Sequence, residues 1–273
     1  MMASVYKNIA VASTFSPRFR QVLAEAKRIR DRFGADLSLI FVGSRNDETE
    51  AKFSEVLKEL DLPGDSTIHY TQGDPAAAIL RTVDEHKIDM IVAGALEKEV
   101  VLHPFLGNVA RRLVREANCS VMLFTQPNTE PKQLLRIVFV ADYSDHSREA
   151  LKKTIALALA EKSERLYVIR IVTTFDEIRA GRETSVKDVH AGKTTADEEA
   201  ALEEFVLSMG HTDVPIEVRC IRGNTGFAGS DFVGSVSADL LAVPLPVTDR
   251  NEPLAANISW ITDVIPCNLW VIR

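Results

Sequence analysis

The sequence predicts an α/β protein in which one parallel-sheet domain is written twice. Three observations predict it. Short apolar runs alternate with stretches of helical periodicity, the chain repeats its own pattern in register, and its 273 residues suit two ordinary domains better than one small core.

In the first copy the strand candidates are NIAVA, DLSLIFV, IHYTQ, DMIVAG and SVMLF. Segments with helical periodicity lie between them, as in Phe19, Val22, Leu23, Ala26, Ile29 and Phe33. Strands this apolar, with helices between them, imply a parallel sheet covered on both faces. In the second copy LRIVFVADYSDHSREALKKT repeats KNIAVASTFSPRFRQVLAEA, with Ile9 matching Ile137, Phe15 matching Tyr143, Ser16 matching Ser144, Arg20 matching Arg148 and Leu23 matching Leu151. Further on, Gly73 matches Gly223, Asp89 matches Asp239 and Ile91 matches Leu241, and each copy closes on a Cys before an apolar strand, CSVMLF and CNLWVI. The expected domains are residues 1–127 and 135–273, with a Pro-containing polar linker over 128–134. The second copy's insertion between its second and third strands reads as a charged loop followed by a helix from Thr195 to Met209.

The 39 acidic against 32 basic residues give a net charge of -7, which argues against binding nucleic acid or anionic membranes. Cys119, Cys220 and Cys267 are odd in number and widely spaced, so neither a disulfide framework nor a CxxC metal site is readable. The start, MMASVYKNIAVAS, lacks the features of a signal peptide, and no apolar run reaches the roughly 18 residues of a membrane span. These features lead to the expectation of a soluble cytoplasmic protein. The six histidines are dispersed without metal-ligand spacing, so no metal site is expected.

The ordered set GDP-x-x-x-I at Gly73–Ile79, D-x-I-V-x-G at Asp89–Gly94 and Gly-Asn-Val-Ala at Gly107–Ala110 resembles the universal stress protein family. The resemblance runs over nearly the whole chain, twice, as in a tandem member. It implies two Rossmann-like domains, each a five-stranded parallel sheet flanked by helices. They would form an intramolecular pseudo-dimer through the last strands, Val121–Phe124 and Leu269–Ile272, and a homodimer of chains is a further option. It also implies, in many members, an ATP-binding loop G-x2-G-x9-G-(S/T) and an Asp at the end of the first strand that holds adenosine.

The first copy keeps the spacing of that loop, with Gly94, Glu97, Gly107 and Asn108 at its four marked positions. Glycine at the second position would let backbone N–H groups approach phosphate oxygens. Glu97 adds bulk and charge there: about 5 Å from one phosphate charge, at an effective dielectric of about 20, the repulsion is roughly 3 kcal/mol. Lys98 reaching back, a metal on the phosphates, or Glu97 turned to water would each relieve it. Asn108 is a good helix cap and leaves the anion-attracting helix start in place. Thr14 stands where the family's Asp is expected. In the second copy Asp142 supplies the acidic position, but its loop, Pro244–Ser259, has no glycine. Asp142 therefore also reads as a turn or cap residue. GNTGFAGS lacks the Lys and spacing of a P-loop and reads as the turn after the third strand. His103 lies either over the cleft or on a surface loop.

Three functions fit these residues. The first is a non-enzymatic regulatory protein of the stress response, acting through protein partners or a small ligand, with no required cofactor. The second is a nucleotide switch taking ATP or AMP, with magnesium, in the first copy. The third is weak ATP hydrolysis, for which no base or nucleophile is placed.

Overall fold

The computed structural model describes residues 5–13, 15–95, 106–173, 194–210, 212–223, 225–247, 254, 258–262 and 265–273. It divides into two compact units, one running to Lys132 and one from Gln133 to Ile272. The first holds β1 Asn8–Ser13, α1 Phe19–Phe33, β2 Asp36–Val42, α2 Asp47–Glu59, β3 Ile68–Thr71, α3 Pro75–Glu85, β4 Met90–Gly94, α4 Asn108–Glu116 and β5 Ser120–Phe124. The second holds β6 Arg136–Val140, α5 Asp145–Glu161, β7 Arg165–Thr173, α6 Thr195–Leu207, β8 Ile216–Gly223, α7 Phe227–Ser235, β9 Leu240–Pro244, a 3-10 turn Ser259–Thr262 and β10 Asn268–Ile272.

Within the first unit the strand order is β3-β2-β1-β4-β5, and within the second β8-β7-β6-β9-β10. The pairings inside each unit are parallel. The α/β parallel fold expected from the sequence is therefore present in both units. Winding goes outward in one direction from β1 to β3 and in the other from β4 to β5, so the loops after β1 and β4 diverge. Such a reversal leaves a crevice beyond the carboxyl ends of the strands.

Local chemistry explains where the elements begin and end. The six periodic residues of α1 are all buried, and the helix stops at Gly34, whose φ of 63° is the left-handed conformation glycine adopts without strain. Asn46 and Thr49 cap α2 reciprocally. Asp74 accepts from the Ala77 N–H at 3.0 Å, with Pro75 in the first turn of α3. Before β4, the Asp89 carboxylate accepts from the N–H groups of Lys7 (2.8 Å) and Asn8 (2.9 Å). Asp239 does the same for the Arg136 N–H at 2.8 Å, so this matched pair of aspartates fastens the first strand of each unit. The insertion's helix is α6; residues 174–193 lie outside the described part. GNTGFAGS does not form one turn, because Gly223 ends β8 and Phe227 already starts α7.

Cys119 and Cys267 are buried at equivalent places, and burial pushes both thiols up to about 12. Thiolate is the reacting species, so both should resist iodoacetamide near neutral pH until denaturant is added, as read by peptide mass spectrometry. Rapid labelling of the folded protein would contradict their burial.

A polar cavity of about 460 Å³ lies at the amino ends of β1 to β3, lined by His69, His86, Arg30, Asp36 and Asp65 among others. The two imidazoles stack with centroids 3.9 Å apart. Burial first, and His86 second, hold His69 below its ordinary value of 6.5. Between that lowered value and 6.5 the unfolded chain takes the proton before the folded one does, so stability falls as pH drops below about 6.5. In urea melts His69→Gln should flatten this acid-side loss; an unchanged pH profile would count against the pair as its source.

Candidate functional site

The crevice of the first unit is built from segments distant in sequence. β1 ends at Ser13 and the chain turns through Phe15–Arg18 into α1, while β4 ends at Gly94. Two backbone hydrogen bonds pin the chain on either side of the β4–α4 connection: the Ala95 N–H donates to the Phe124 carbonyl at 2.9 Å, and the Gly107 N–H donates to the Ala95 carbonyl at 3.0 Å. The ends of the intervening stretch are thereby held together, and α4 must start beside the carboxyl end of β4.

Gly107, not Asn108, is the cap of α4; Asn108 is its first helical residue and is exposed. The Gly107 carbonyl accepts from the Arg111 N–H at 2.9 Å, and among the described residues no side chain caps the helix. A helix leaves its first N–H groups without internal acceptors and partly positive. Here the cap residue, a glycine, has no side chain to cover them.

Around this helix start lies a cavity of about 570 Å³. Its walls include Phe19 and Val22 of α1, Val42 of β2, Ile79 of α3, Leu113 of α4 and Phe124 of β5. Arg18 is the one charged side chain among its described lining residues, which also include Ser13 and Ser16. The Ser13 hydroxyl donates to the Val11 carbonyl at 3.3 Å. Behind Phe19 stands an aromatic cluster: Phe53 meets Phe15, Phe19, Phe41 and Tyr70 at centroid distances of 4.8, 5.7, 5.4 and 6.2 Å.

Of the candidates named from sequence, Gly94 and Gly107 line this cavity. Among the described residues a Cβ on Gly94 would meet only Val22 Cγ2, at 3.4 Å, and Gly94 is not among the glycines with positive φ. Glycine there is not a backbone requirement; it leaves space over Val22. Thr14, Glu97, Lys98 and His103 lie outside the described residues. Asp142 belongs to the second unit, where its Oδ1 accepts from the Ser144 N–H (3.0 Å) and hydroxyl (2.6 Å). Ser144 in turn accepts from the Ser147 N–H at 3.0 Å and caps α5. Asp74, of the GDP motif, caps α3 and pairs with Arg112 of α4, which also bonds Glu116 at 2.9 Å. The helix cap and Arg112 hold the Asp74 carboxyl below the usual range.

Sequence reasoning missed Arg18, Val22, Val42, Ile79 and Phe124 as lining residues. Val22, Val42 and Phe124 carry only the signal of a buried apolar periodicity, Ile79 closes the GDP-x-x-x-I motif without marking itself as a wall, and Arg18 carries no signal beyond its place after Ser16-Pro17. Among the described residues no group of three His, Cys, Asp or Glu side chains could hold a metal ion, and no helix is long and apolar enough to cross a membrane.

Comparison with known proteins agrees with this architecture. Residues 5–125 match the model of the universal stress protein family. The universal stress protein MJ0531 of Methanocaldococcus jannaschii is 26% identical over 147 residues, covering 46% of this chain and 86% of that protein. A universal stress protein from Archaeoglobus fulgidus DSM 4304 has a similar fold, with a TM-score of 0.62 and 15% identity over 98% of this chain and 97% of its own. A Pseudomonas aeruginosa PAO1 protein, PA1789, described as functionally unknown, reaches a TM-score of 0.69 at 16% identity, covering 98% of this chain and 92% of its own.

Proposed function

We propose, from the match of residues 5–125 to the universal stress protein family model and from the site's geometry, that the chain is a regulatory binding protein and not an enzyme, and that its ligand occupies the crevice between β1 and β4 of the first unit. The observation that carries this reading is the described lining of the 570 Å³ cavity: apolar walls, Arg18, and an α-helix start with a glycine cap. The volume lies within the roughly 300–1,000 Å³ of small-molecule sites. Apolar walls suit a ring or another compact apolar body, while Arg18 and the first-turn amides of α4 suit a single anionic end. Catalysis requires a base or nucleophile aimed at a reacting atom. The described lining offers two serine hydroxyls and neither a histidine nor a carboxylate beside them.

A nucleoside monophosphate matches this chemistry better than a triphosphate. The sequence after β4 carries Glu97 and Glu99 and a single Lys98, and with a carboxylate at about 5 Å each added phosphate charge would raise the repulsion by an amount on the order of 3 kcal/mol. The site residues proposed are Gly94, Glu97, Gly107 and Asn108 of the loop motif for the phosphate and Thr14, at the motif's acidic position, for the adenosine, with Glu97 and Thr14 taken from the sequence alone. Bound ligand would signal to a protein partner through the turn after β1 and the stretch after β4. Calorimetric titration with AMP and with magnesium-ATP tests the reading: AMP should bind, and more tightly than ATP. Tighter ATP binding, or no heat from either at millimolar ligand, would overturn it.

A further inference from the structure

The equal strand order of the two units lets residues be matched through the sheets. Asn8 pairs with Asp36 and Arg136 with Arg165, so counting along β2 and β7 makes Ile171 the counterpart of Val42. Ile9 pairs with Met90 and Ile137 with Leu240. Together with the match of Gly73 to Gly223, that register makes Gly229 of α7 the counterpart of Ile79. Val42 and Ile79 are walls of the open cavity in the first unit.

In the second unit the corresponding space is taken. A Cβ on Gly229 would lie 2.5 Å from Ile171 Cδ1 and 3.2 Å from Trp260 Cζ2, so the indole and the isoleucine already occupy the place where a side chain at 229 would begin. Trp260 is 2% exposed and Ile261 beside it is fully buried. Both belong to the 3-10 turn Ser259–Thr262, which stands in chain order where the first unit has α4. Glycine at 229 is thus explained first by the approach of Ile171 Cδ1 and second by that of the Trp260 ring, and the ring comes from the segment that in the first unit supplies the helix start.

We propose that Trp260 is a built-in occupant of the second unit's switch-point site. Its indole is a planar bicycle held where a small planar aromatic ligand would otherwise lie, so the chain carries one open site and one filled by itself. This goes beyond the ligand reading of the first unit and does not depend on what that unit binds.

Free indole is the probe. A buried apolar space vacated by a large side chain stays open and takes small aromatic molecules. Trp260→Ala should melt lower than the parent, bind one equivalent of indole more than the parent does, and regain melting temperature with it by more than the parent gains. Adding Gly229→Leu to Trp260→Ala should refill the space and abolish the indole effect, which places the site at Gly229. A folded Trp260→Ala protein indifferent to indole, or one that responds equally with Leu at 229, would overturn the proposal. Trp270→Phe supplies a test independent of that variant's folding, because Trp260 is then the sole indole. Its emission should be blue and poorly quenched by acrylamide until the protein unfolds; red, freely quenched emission from the folded protein would overturn the assignment.

Discussion

Phe53→Ala should destabilise the first unit by about 3–5 kcal/mol, the cost of truncating a fully packed phenylalanine. Phe53 is 1% exposed and touches four aromatic rings contributed by the turn after β1, by α1, by β2 and by β3. Rings held by separate elements cannot all collapse into the vacated space, so most of the cavity term should persist. Phe53→Leu, which retains much of the volume, should lose less than half as much. Urea unfolding followed by hydrogen exchange on β1–β3 would measure both. A loss below about 1 kcal/mol for the alanine variant would show that the cluster is not packed as described. The same substitution should also weaken ligand binding, because Phe19 is shared between the cluster and the cavity wall.

Gly94→Leu should lower ligand affinity at least about tenfold while leaving stability within about 0.5 kcal/mol. The new Cβ would start 3.4 Å from Val22 Cγ2, an ordinary contact, and the rest of the side chain would have to extend over Val22 into the cavity. Gly94 is exposed at the end of β4 and is not among the positive-φ glycines, so neither burial nor backbone strain opposes the change. A variant that melts like the parent and binds AMP equally well would mean that the ligand does not pass over Gly94.

The strands and the doubling of the domain were legible because strands buried on both faces must be nearly all apolar, as Met90–Ala93 and Val121–Phe124 are. Asp89 and Asp239 were legible as a matched pair, although their task of fastening β1 and β6 appears only once the strands are placed side by side. The cavity was legible only at its glycine corners. Val22, Val42, Ile79 and Phe124 read as core residues because lining an apolar cavity and filling a core demand the same side chains. Asn108 was expected to cap α4, yet the cap is Gly107, since a glycine and an asparagine in succession offer two cap positions one residue apart. In sequence Trp260 carries no signal beyond that of a large aromatic ahead of the last strand. Its partner Gly229 stood in a stretch where glycines suggest turns, and only the approach of Ile171 and the indole shows why glycine is needed there.

Backbone NMR of the labelled chain titrated with AMP tests the central claim most directly, because it reports the place of binding as well as its occurrence. Shift changes should gather at Ser16–Val22, at Gly94 and Ala95, and at Gly107–Ala110, with the amides around Gly229 and Trp260 unmoved. Changes centred on the second unit, or none at millimolar AMP, would contradict a ligand site at the β1–β4 crevice of the first.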